Sequence, residues 1–198
     1  MITKKDLLEC SLANFTKFGS KRFTLDQLAK ILGISKKTIY KHFTSKEALV
    51  IESLESLLND YDKEIKNIIA NNNNDPILSI ILIYKRGFEY LRYFKPSFIF
   101  GLKKYYSKAY AIFDAFRVNL ARNITCTLLE KAKEKGHLKP EVNIELIALL
   151  YFFRIDNVAF KNDNLFETYG NESLLKHLII YNLQGIISNT YSNYFFNQ

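Results

Sequence analysis

Residues 24–46 have the sequence TLDQLAKILGISKKTIYKHFTSK, and the rest of the chain can be interpreted around this stretch. Thr24 and Gln27 have the spacing of a capping box, which predicts a helix that begins at Leu25. Gly33 is expected to end this helix in a left-handed conformation, because glycine adopts that conformation at little steric cost. Ser35 is well placed to cap the next helix. The stretch therefore predicts two short helices joined by a tight turn.

The second of these helices has a basic outer face. Ile39 and Phe43 share its inward face, and the residues left outward are Lys36, Lys37, Thr38, Tyr40, Lys41 and His42. A helix, a short turn and a helix with a basic outer face form the helix-turn-helix pattern, whose second helix enters the DNA major groove. Taken alone, the pattern leaves open a surface hairpin with ordinary solvated lysines.

The flanking residues distinguish these alternatives. A capping box at Thr3 and Asp6 predicts a first helix over about residues 4–18, and Thr44 and Glu47 offer another capping box for the helix that follows. Residues 3–60 as a whole resemble the DNA-binding domain of TetR-family transcriptional regulators. The matching residues are Phe15, Gly19, Thr24, Leu28, Ala29, Gly33, Ile34, Ser35, Thr38, Ile39, Tyr40, Phe43, Ser45, Lys46, Glu47, Ala48 and Leu49.

The resemblance implies which residues bind DNA. It assigns base contacts to Lys36, Lys37 and Thr38 in the first turn of the second helix. It assigns phosphate contacts mainly to Tyr40, Lys41, His42 and Lys46, with Thr24 and Ser35 completing the set. Lys37 stands where the family commonly has a small residue, so its contact could be to guanine or to phosphate.

Positive charge is concentrated on the same segment. Residues 1–46 contain 10 Lys and Arg against 3 Asp and Glu, whereas the remaining 152 residues contain 18 against 17. Nearly all of the net charge of +8 therefore accompanies the helix-turn-helix pattern. Such a distribution is expected of a surface that binds phosphate.

The rest of the chain is predicted to be helical. Helices are expected over about residues 45–69, 77–94, 96–106, 107–135, 144–160 and 172–195, and no stretch shows the two-residue alternation of a strand. We expect an all-α protein with a helix-turn-helix DNA-binding domain at residues 1–50. A linking helix at about 45–70 would lead into a larger helical domain at 51–198 for ligand binding and dimerisation.

The resemblance implies that the middle helices form a chamber for an apolar or aromatic small-molecule effector. Its candidate lining residues are aromatic and its candidate polar anchors are basic. They are Phe88, Tyr93, Phe98, Tyr105, Tyr110, Phe113, Phe116, Arg117, Tyr151, Arg154 and His177. Aromatic residues at helical spacing also occur as ordinary core, and that alternative remains open.

The last two predicted helices carry more apolar residues than one core-facing stripe needs, and surplus apolar surface commonly meets a partner. The resemblance implies that this pair forms a four-helix bundle with its copy in a homodimer. The candidate interface residues are Leu146, Leu150, Phe153, Leu178, Ile179, Leu183, Ile186 and Ile187. Packing of these residues wholly inside the monomer is the alternative.

Other classes of protein find little support. Cys10 and Cys126 form neither a disulfide framework nor a metal site, which fits a reducing compartment. There is no apolar signal segment at the N-terminus, no glycine-rich phosphate loop and no nucleophile elbow. We expect a cytoplasmic protein with no membrane partner, enzyme activity, metal or cofactor.

The sequence therefore predicts a DNA-binding transcriptional regulator. We expect a ligand-responsive repressor that binds double-stranded DNA at a palindromic operator as a homodimer. The alternative is a nucleoid-type protein that binds DNA without sequence preference and has no ligand switch, so that phosphate contacts and salt determine its affinity.

Overall fold

The computed structural model describes residues 2–91, 94, 96–157 and 165–196. The helices are α1 (Lys4–Phe18), α2 (Leu25–Leu32), α3 (Lys36–Tyr40), α4 (Lys46–Asn71), α5 (Pro76–Leu91), α6 (Pro96–Tyr105), α7 (Ser107–Asn119), α8 (Cys126–Glu134), α9 (Ile144–Asp156), α10 (Leu165–Leu175) and α11 (Tyr181–Ile186). Two π-helical turns, Leu120–Thr125 and Lys176–Ile180, connect α7 to α8 and α10 to α11. The described residues form one isolated β-bridge, Leu138 with Ile187, and no strand, so the predicted all-α class is confirmed.

The chain divides into two compact units, each with its own core. The first unit comprises residues 1–61 and 93–115, and the second comprises residues 62–92 and 116–198. Fully buried apolar side chains of the first unit include Leu7, Phe15, Leu28, Ile39, Leu49, Leu54, Phe98 and Leu102. Those of the second include Ile77, Ile80, Phe88, Leu129, Tyr151, Ile179 and Leu183. The first unit thus contains α6 and part of α7 in addition to the helix-turn-helix segment.

Several predicted helix ends are confirmed. Each of them depends on residues that are close in sequence, which is why the local pattern could predict it. Thr3 and Thr24 both form complete capping boxes, with Asp6 and Gln27 respectively. Gly33 ends α2 at φ 64°, ψ 32°, the left-handed conformation. At the start of α5, the Asp75 side chain accepts a hydrogen bond from the backbone N–H of Leu78 at 2.9 Å.

The start of α4 differs from the prediction by one residue. The Ser45 hydroxyl, rather than that of Thr44, accepts the hydrogen bond from the Ala48 backbone N–H, at 3.0 Å. Both Thr44 and Ser45 have a side chain that could cap a helix at this point, so the local pattern fits either register. The structure selects Ser45.

The end of the chain corrects a second prediction. The sequence predicts that the last helix continues to residue 195, but α11 ends at Ile186 and Ile187 is extended, with ψ 151°. The backbone beyond it pairs with the segment after α8, where the N–H of Ser188 donates to the carbonyl of His137 at 2.9 Å. Residues 165–170, predicted as part of a loop, belong to α10, which is kinked at Gly170. Residues 158–160, at the end of the helix predicted over 144–160, lie outside the described residues.

Candidate DNA-binding surface

The turn between α2 and α3 is held by local hydrogen bonds. The N–H of Ile34 donates to the carbonyl of Ala29 at 3.0 Å, which closes the end of α2. The Ser35 hydroxyl accepts from the Thr38 N–H at 3.1 Å and lies 3.0 Å from the Thr38 hydroxyl. Ser35 and Thr38 therefore fix the first turn of α3 in the structure.

Hydrophobic burial fixes the orientation of α3. Ile39 is fully buried and Phe43 is 2% exposed. Regular helix ends at Tyr40, but the N–H of Phe43 still bonds to the carbonyl of Ile39 at 3.1 Å. The predicted second helix is thus shorter than expected, and Lys41 and His42 lie in the turn that follows it.

The outward face of α3 and its following turn is basic and aromatic. Lys37, Lys41 and His42 are exposed, and Tyr40 is 50% exposed. The charges of Lys37 and Lys41 have no carboxylate partner among the described residues. This face can therefore donate hydrogen bonds to base edges and to phosphates.

Lys36 differs from the other cations of this face. Its Nζ donates to Oδ2 of Asp26 at 2.9 Å. The hydrogen bond to this carboxylate raises the pKa of Lys36 above its usual value. The predicted base contact of Lys36 therefore requires the side chain to exchange Asp26 for DNA.

Lys46, at the first position of α4, is partly buried against α1 and the segment that follows it. Its Nζ donates to the backbone carbonyl of Lys21 at 3.1 Å and lies 5.9 Å from the centroid of the Phe15 ring. Burial, and then the neighbouring Lys21 charge, lowers the pKa of Lys46. A phosphate at this point would relieve the repulsion between two ammonium groups.

Thr24 has a structural task in addition to its predicted DNA contact. Its hydroxyl accepts from the Gln27 N–H at 3.2 Å, while its backbone N–H donates to Oε1 of Gln27 at 2.8 Å. The residue is exposed, so the cap does not hide it from a bound duplex.

The sequence did not identify Lys21 and Asp26, which contact Lys46 and Lys36, or the exposed Arg22 beside Lys21. Lys21 and Arg22 are exposed in the segment between α1 and α2, and Asp26 is the partner of Lys36. Two adjacent basic residues just before the helix-turn-helix segment could have indicated a DNA contact at Lys21 and Arg22. No local pattern identifies the contact of Asp26 with Lys36, because ten positions separate them.

The structure divides the predicted effector residues between the two units. Phe98 and Phe113 are buried in the first unit, where both rings pack against Phe94 at centroid distances of 5.3 and 6.1 Å. Tyr105 and Tyr110 also lie there, with Lys21 over the former ring and Lys103 over the latter. Tyr105 is 44% exposed, which corrects its assignment to a chamber lining.

Phe88 and Tyr151 lie together in the core of the second unit. The Tyr84 ring contacts both, at centroid distances of 6.4 and 6.2 Å, and Phe88 packs edge-on against Phe166 at 5.3 Å. Neither Tyr84 nor Phe166 was predicted, although Tyr84 stands one helical turn before Phe88 in the sequence.

The two tyrosines of this cluster differ in their hydrogen bonds. The Tyr84 hydroxyl lies 3.2 Å from the Thr125 hydroxyl, and burial raises the pKa of Tyr84 to about 12. The Tyr151 hydroxyl is buried without a hydrogen-bond partner among the described residues, and burial raises its pKa as well. A buried donor without a partner is unusual, because its desolvation is not compensated.

The predicted basic anchors are arranged differently from the expectation. Arg117 forms an ion pair with Asp156, and its guanidinium lies 5.4 Å from the centroid of the Phe152 ring. Arg154 is exposed and bonds to Asn182, and His177 is exposed and bonds to the carbonyl of Ser173 at 2.9 Å. The assignments of Arg154 and His177 to a buried chamber are corrected. Phe116 is half-buried in the second unit, and Tyr93 lies outside the described residues.

The predicted interface residues separate into surface and core. Leu146, Leu150 and Phe153 are 51%, 39% and 49% exposed and recur at four- and three-residue spacing on α9. Ile179 and Leu183 are fully buried within the chain, so their assignment to an interface is corrected. Leu178, Ile186 and Ile187 are half-buried. The exposed stripe of α9 is the apolar face that a partner could cover.

Among the described residues, no helix has the length and apolarity needed to cross a bilayer. The same part of the chain contains no group of three or more His, Cys, Asp or Glu side chains placed to hold a metal ion.

Comparison with known proteins agrees with the geometry of the N-terminal segment. Residues 7–52 match the family model of bacterial regulatory proteins of the tetR family. An uncharacterised helix-turn-helix transcriptional regulator of Bacillus subtilis, YvaF, is 28% identical over 159 residues, which is 78% of this chain and 75% of the relative.

A second relative is the negative transcriptional regulator IcaR of the biofilm operon icaADBC in Staphylococcus aureus. It is 31% identical over 107 residues, which is 54% of this chain and 51% of the relative. Among solved structures, the regulator FadR of Bacillus subtilis in complex with stearoyl-CoA aligns with a TM-score of 0.73. Its identity is 15%, and the alignment covers 93% of this chain and all of that one, which shows a shared fold.

Proposed function

Because the chain belongs to the TetR family and is a DNA-binding transcriptional regulator, we propose that it represses transcription as a homodimer at a palindromic operator. A small molecule bound in the second unit would relieve the repression. The observation that carries this proposal is the fixed α3, with Ile39 and Phe43 buried and Lys37, Tyr40 and Lys41 exposed. The relative IcaR is a negative transcriptional regulator, which supports repression.

On this proposal Lys37 contacts bases, with Lys36 joining it once released from Asp26. Thr38 contacts bases from the same turn. The residues that contact phosphates are Tyr40, Lys41, His42 and Lys46. Thr24 and Ser35, which cap α2 and α3, complete the DNA-binding set. A basic side chain can donate two hydrogen bonds to a guanine edge, whereas a phosphate contact carries no sequence information. The face therefore supplies both specificity and affinity.

The exposed stripe of α9 supports dimerisation. Leu146, Leu150 and Phe153 expose apolar surface along one face of a helix, and covering that surface with a second copy would remove it from water. A two-fold axis would place two α3 helices on half-sites separated by one turn of DNA or a multiple of it. A palindrome is the operator that such a dimer reads.

The test of the dimer is light scattering of the wild-type chain and of Phe153→Glu at micromolar concentration. The wild type should have twice the chain mass of 23.2 kDa. Phe153→Glu should move toward the mass of one chain and lose affinity for the operator, because a carboxylate would be buried in the apolar interface. The exposed Tyr169→Glu is the matched control and should remain dimeric. A wild-type mass of one chain would overturn the proposal.

The proposed effector site is the aromatic cluster of the second unit. The unpartnered Tyr151 hydroxyl can donate a hydrogen bond to an acceptor atom of the effector, and the rings of Tyr84, Phe88 and Phe166 suit an apolar or aromatic body. A solved regulator of the same fold holds stearoyl-CoA, which supports a ligand-binding role for this fold.

Effector action would be a population shift. An effector would release DNA if it binds more tightly to a dimer whose two α3 helices no longer match the half-site spacing. An effector that binds both states of the dimer equally tightly would not change DNA binding. A screen for compounds that release DNA from the wild type tests this. Tyr151→Phe should still bind DNA and should need a higher concentration of any compound that accepts the Tyr151 hydrogen bond. An equal response in both proteins would remove Tyr151 from the site.

A further inference from the structure

We propose that the C-terminal half of α6 binds the phosphates of DNA that flanks the operator half-site. The surface, here called the basic flank, consists of Lys21 in the segment after α1 and Lys103 and Lys104 on α6. The inference rests on the proposed function, because it extends the DNA contact of the same protomer beyond α3. All three lysines belong to the first unit.

The basic flank adjoins Lys46. The backbone carbonyl of Lys21 accepts the hydrogen bond from Nζ of Lys46 at 3.1 Å. Burial, and then the Lys21 charge, lowers the pKa of Lys46. A phosphate held by Lys46 would therefore lie beside Lys21. The flank continues the surface that contains the helix-turn-helix cations.

Close packing fixes α6 against the same segment. The Tyr106 hydroxyl donates to the carbonyl of Ser20 at 3.4 Å. A Cβ built at Gly101 would lie only 3.0 Å from the Ser20 hydroxyl oxygen, so glycine permits this close approach. The end of α6 is thus held beside the segment that contains Lys21.

Two lysines of the basic flank contact the same aromatic ring. The ammonium groups of Lys21 and Lys104 lie 5.0 and 5.5 Å from the centroid of the Tyr105 ring. Lys104 also lies 5.5 Å from the centroid of the Phe100 ring, which is 61% exposed. Cation–π contacts restrict the lysine side chains near the surface, which reduces the entropy that they lose when they bind a phosphate.

Among the described residues, no carboxylate neutralises the basic flank. None of Lys21, Lys103 and Lys104 forms a salt bridge with a described residue. The sequence has no Asp or Glu at residues 10–25 or 90–113. Burial, and then the charge of Glu47, raises the pKa of the Tyr106 phenol, which follows α6.

Helix stability alone does not account for the arrangement. Lysines near the C-terminus of α6 interact favourably with its dipole, which could explain Lys103 and Lys104. It does not explain Lys21, which lies on no helix, or the exposed ring of Phe100. Continuity with the Lys46 contact favours DNA over an acidic protein as the occupant.

The test compares two duplexes at several salt concentrations. One is the bare palindrome selected by the protein, and the other is the same palindrome with about ten further base pairs, roughly one helical turn, on each side. Wild type should bind the longer duplex more tightly and with a steeper salt dependence. In the double variant that combines Lys103→Gln and Lys104→Gln, the plot of log K against log salt should become less steep. Its slope should decrease in magnitude by about 0.9 for each phosphate that is no longer neutralised.

Lys21→Gln changes the segment after α1 rather than α6, and it should lose part of the affinity that the longer duplex adds. Lys131→Gln with Lys135→Gln removes equal charge from exposed positions of the second unit and should keep the gain from the flanks. Equal wild-type affinity for both duplexes would overturn the inference, as would retention of the full gain by the α6 double variant. Failure of the wild type to prefer the palindrome over random DNA would instead refute the proposed function.

Discussion

Nζ of Lys36 lies 2.9 Å from Oδ2 of Asp26, so that the first residue of α3 is joined to the first turn of α2. Both side chains remain substantially exposed. In the absence of DNA, the contact therefore holds a cation of the outward face of α3 beside a carboxylate. Two opposed effects follow, because Asp26 orients Lys36 and also repels phosphate.

Asp26→Asn should bind DNA about two- to five-fold more tightly than the wild type, since surface ion pairs are weak and the removal of a negative charge near phosphate should prevail. Fluorescence anisotropy with an operator duplex measures the effect. The gain should shrink as salt is added. Weaker binding by Asp26→Asn in a protein of normal melting temperature would show that orientation of Lys36 matters more than charge.

Lys37→Ala and Lys46→Ala should differ in how they depend on DNA sequence. Lys37→Ala should lose affinity unequally across operator variants, by about 1–3 kcal/mol at the contacted base. Lys46→Ala should weaken binding to all sequences alike, because the proposed contact of its ammonium group is to a phosphate, which carries no sequence information. Affinities for single-base operator variants measure both. A uniform loss from both substitutions would contradict the assignment of Lys37 to bases.

The cap of α4 gives a matched pair of neighbouring substitutions. Ser45→Ala should lower the free energy of unfolding by about 1 kcal/mol, because the Ala48 N–H loses its acceptor. Thr44→Ala should change it by less than about 0.5 kcal/mol, as expected of a surface position outside the cap. Urea denaturation compares the two. A larger loss at Thr44 would place the cap where the sequence predicted it.

The buried tyrosines give another pair. Tyr151→Phe should raise the free energy of unfolding by up to about 1 kcal/mol, because a desolvated hydroxyl without a partner is removed. Tyr84→Phe should lower it by about 0.5–1.5 kcal/mol, because the bond to the Thr125 hydroxyl is removed. Thermal or urea unfolding without effector measures both. Marked destabilisation by Tyr151→Phe would mean that its hydroxyl has a partner such as an ordered water.

Features set by neighbouring residues were predictable from the sequence. The caps at Thr3, Thr24 and Ser35 and the left-handed Gly33 each depend on positions a few residues apart. The inward side of α3 followed from Ile39 and Phe43 because helical spacing alone places them together. Where two adjacent residues could serve equally, as Thr44 and Ser45 could, the local pattern did not decide.

Features set by distant contacts were not predictable. The end of α11 depends on the pairing of Ile187 with Leu138, which stands far earlier in the chain. Burial of Ile179 and Leu183, in contrast to the exposed Phe153, depends on which helix face meets the core. The attachment of α6 to the segment after α1 joins residues that are distant in sequence, as in the bond from Tyr106 to Ser20.

Sequence-specific DNA binding is tested most directly by selection of the purified protein against a random duplex DNA library at near-physiological salt, followed by sequencing of the retained pool. We expect an enriched palindrome whose half-sites are separated by one turn of DNA or a multiple of it. The Lys37→Ala pool should differ from the wild-type pool within each half-site. Retention of DNA without enrichment would contradict sequence-specific binding to an operator and favour a protein that binds phosphate without reading sequence.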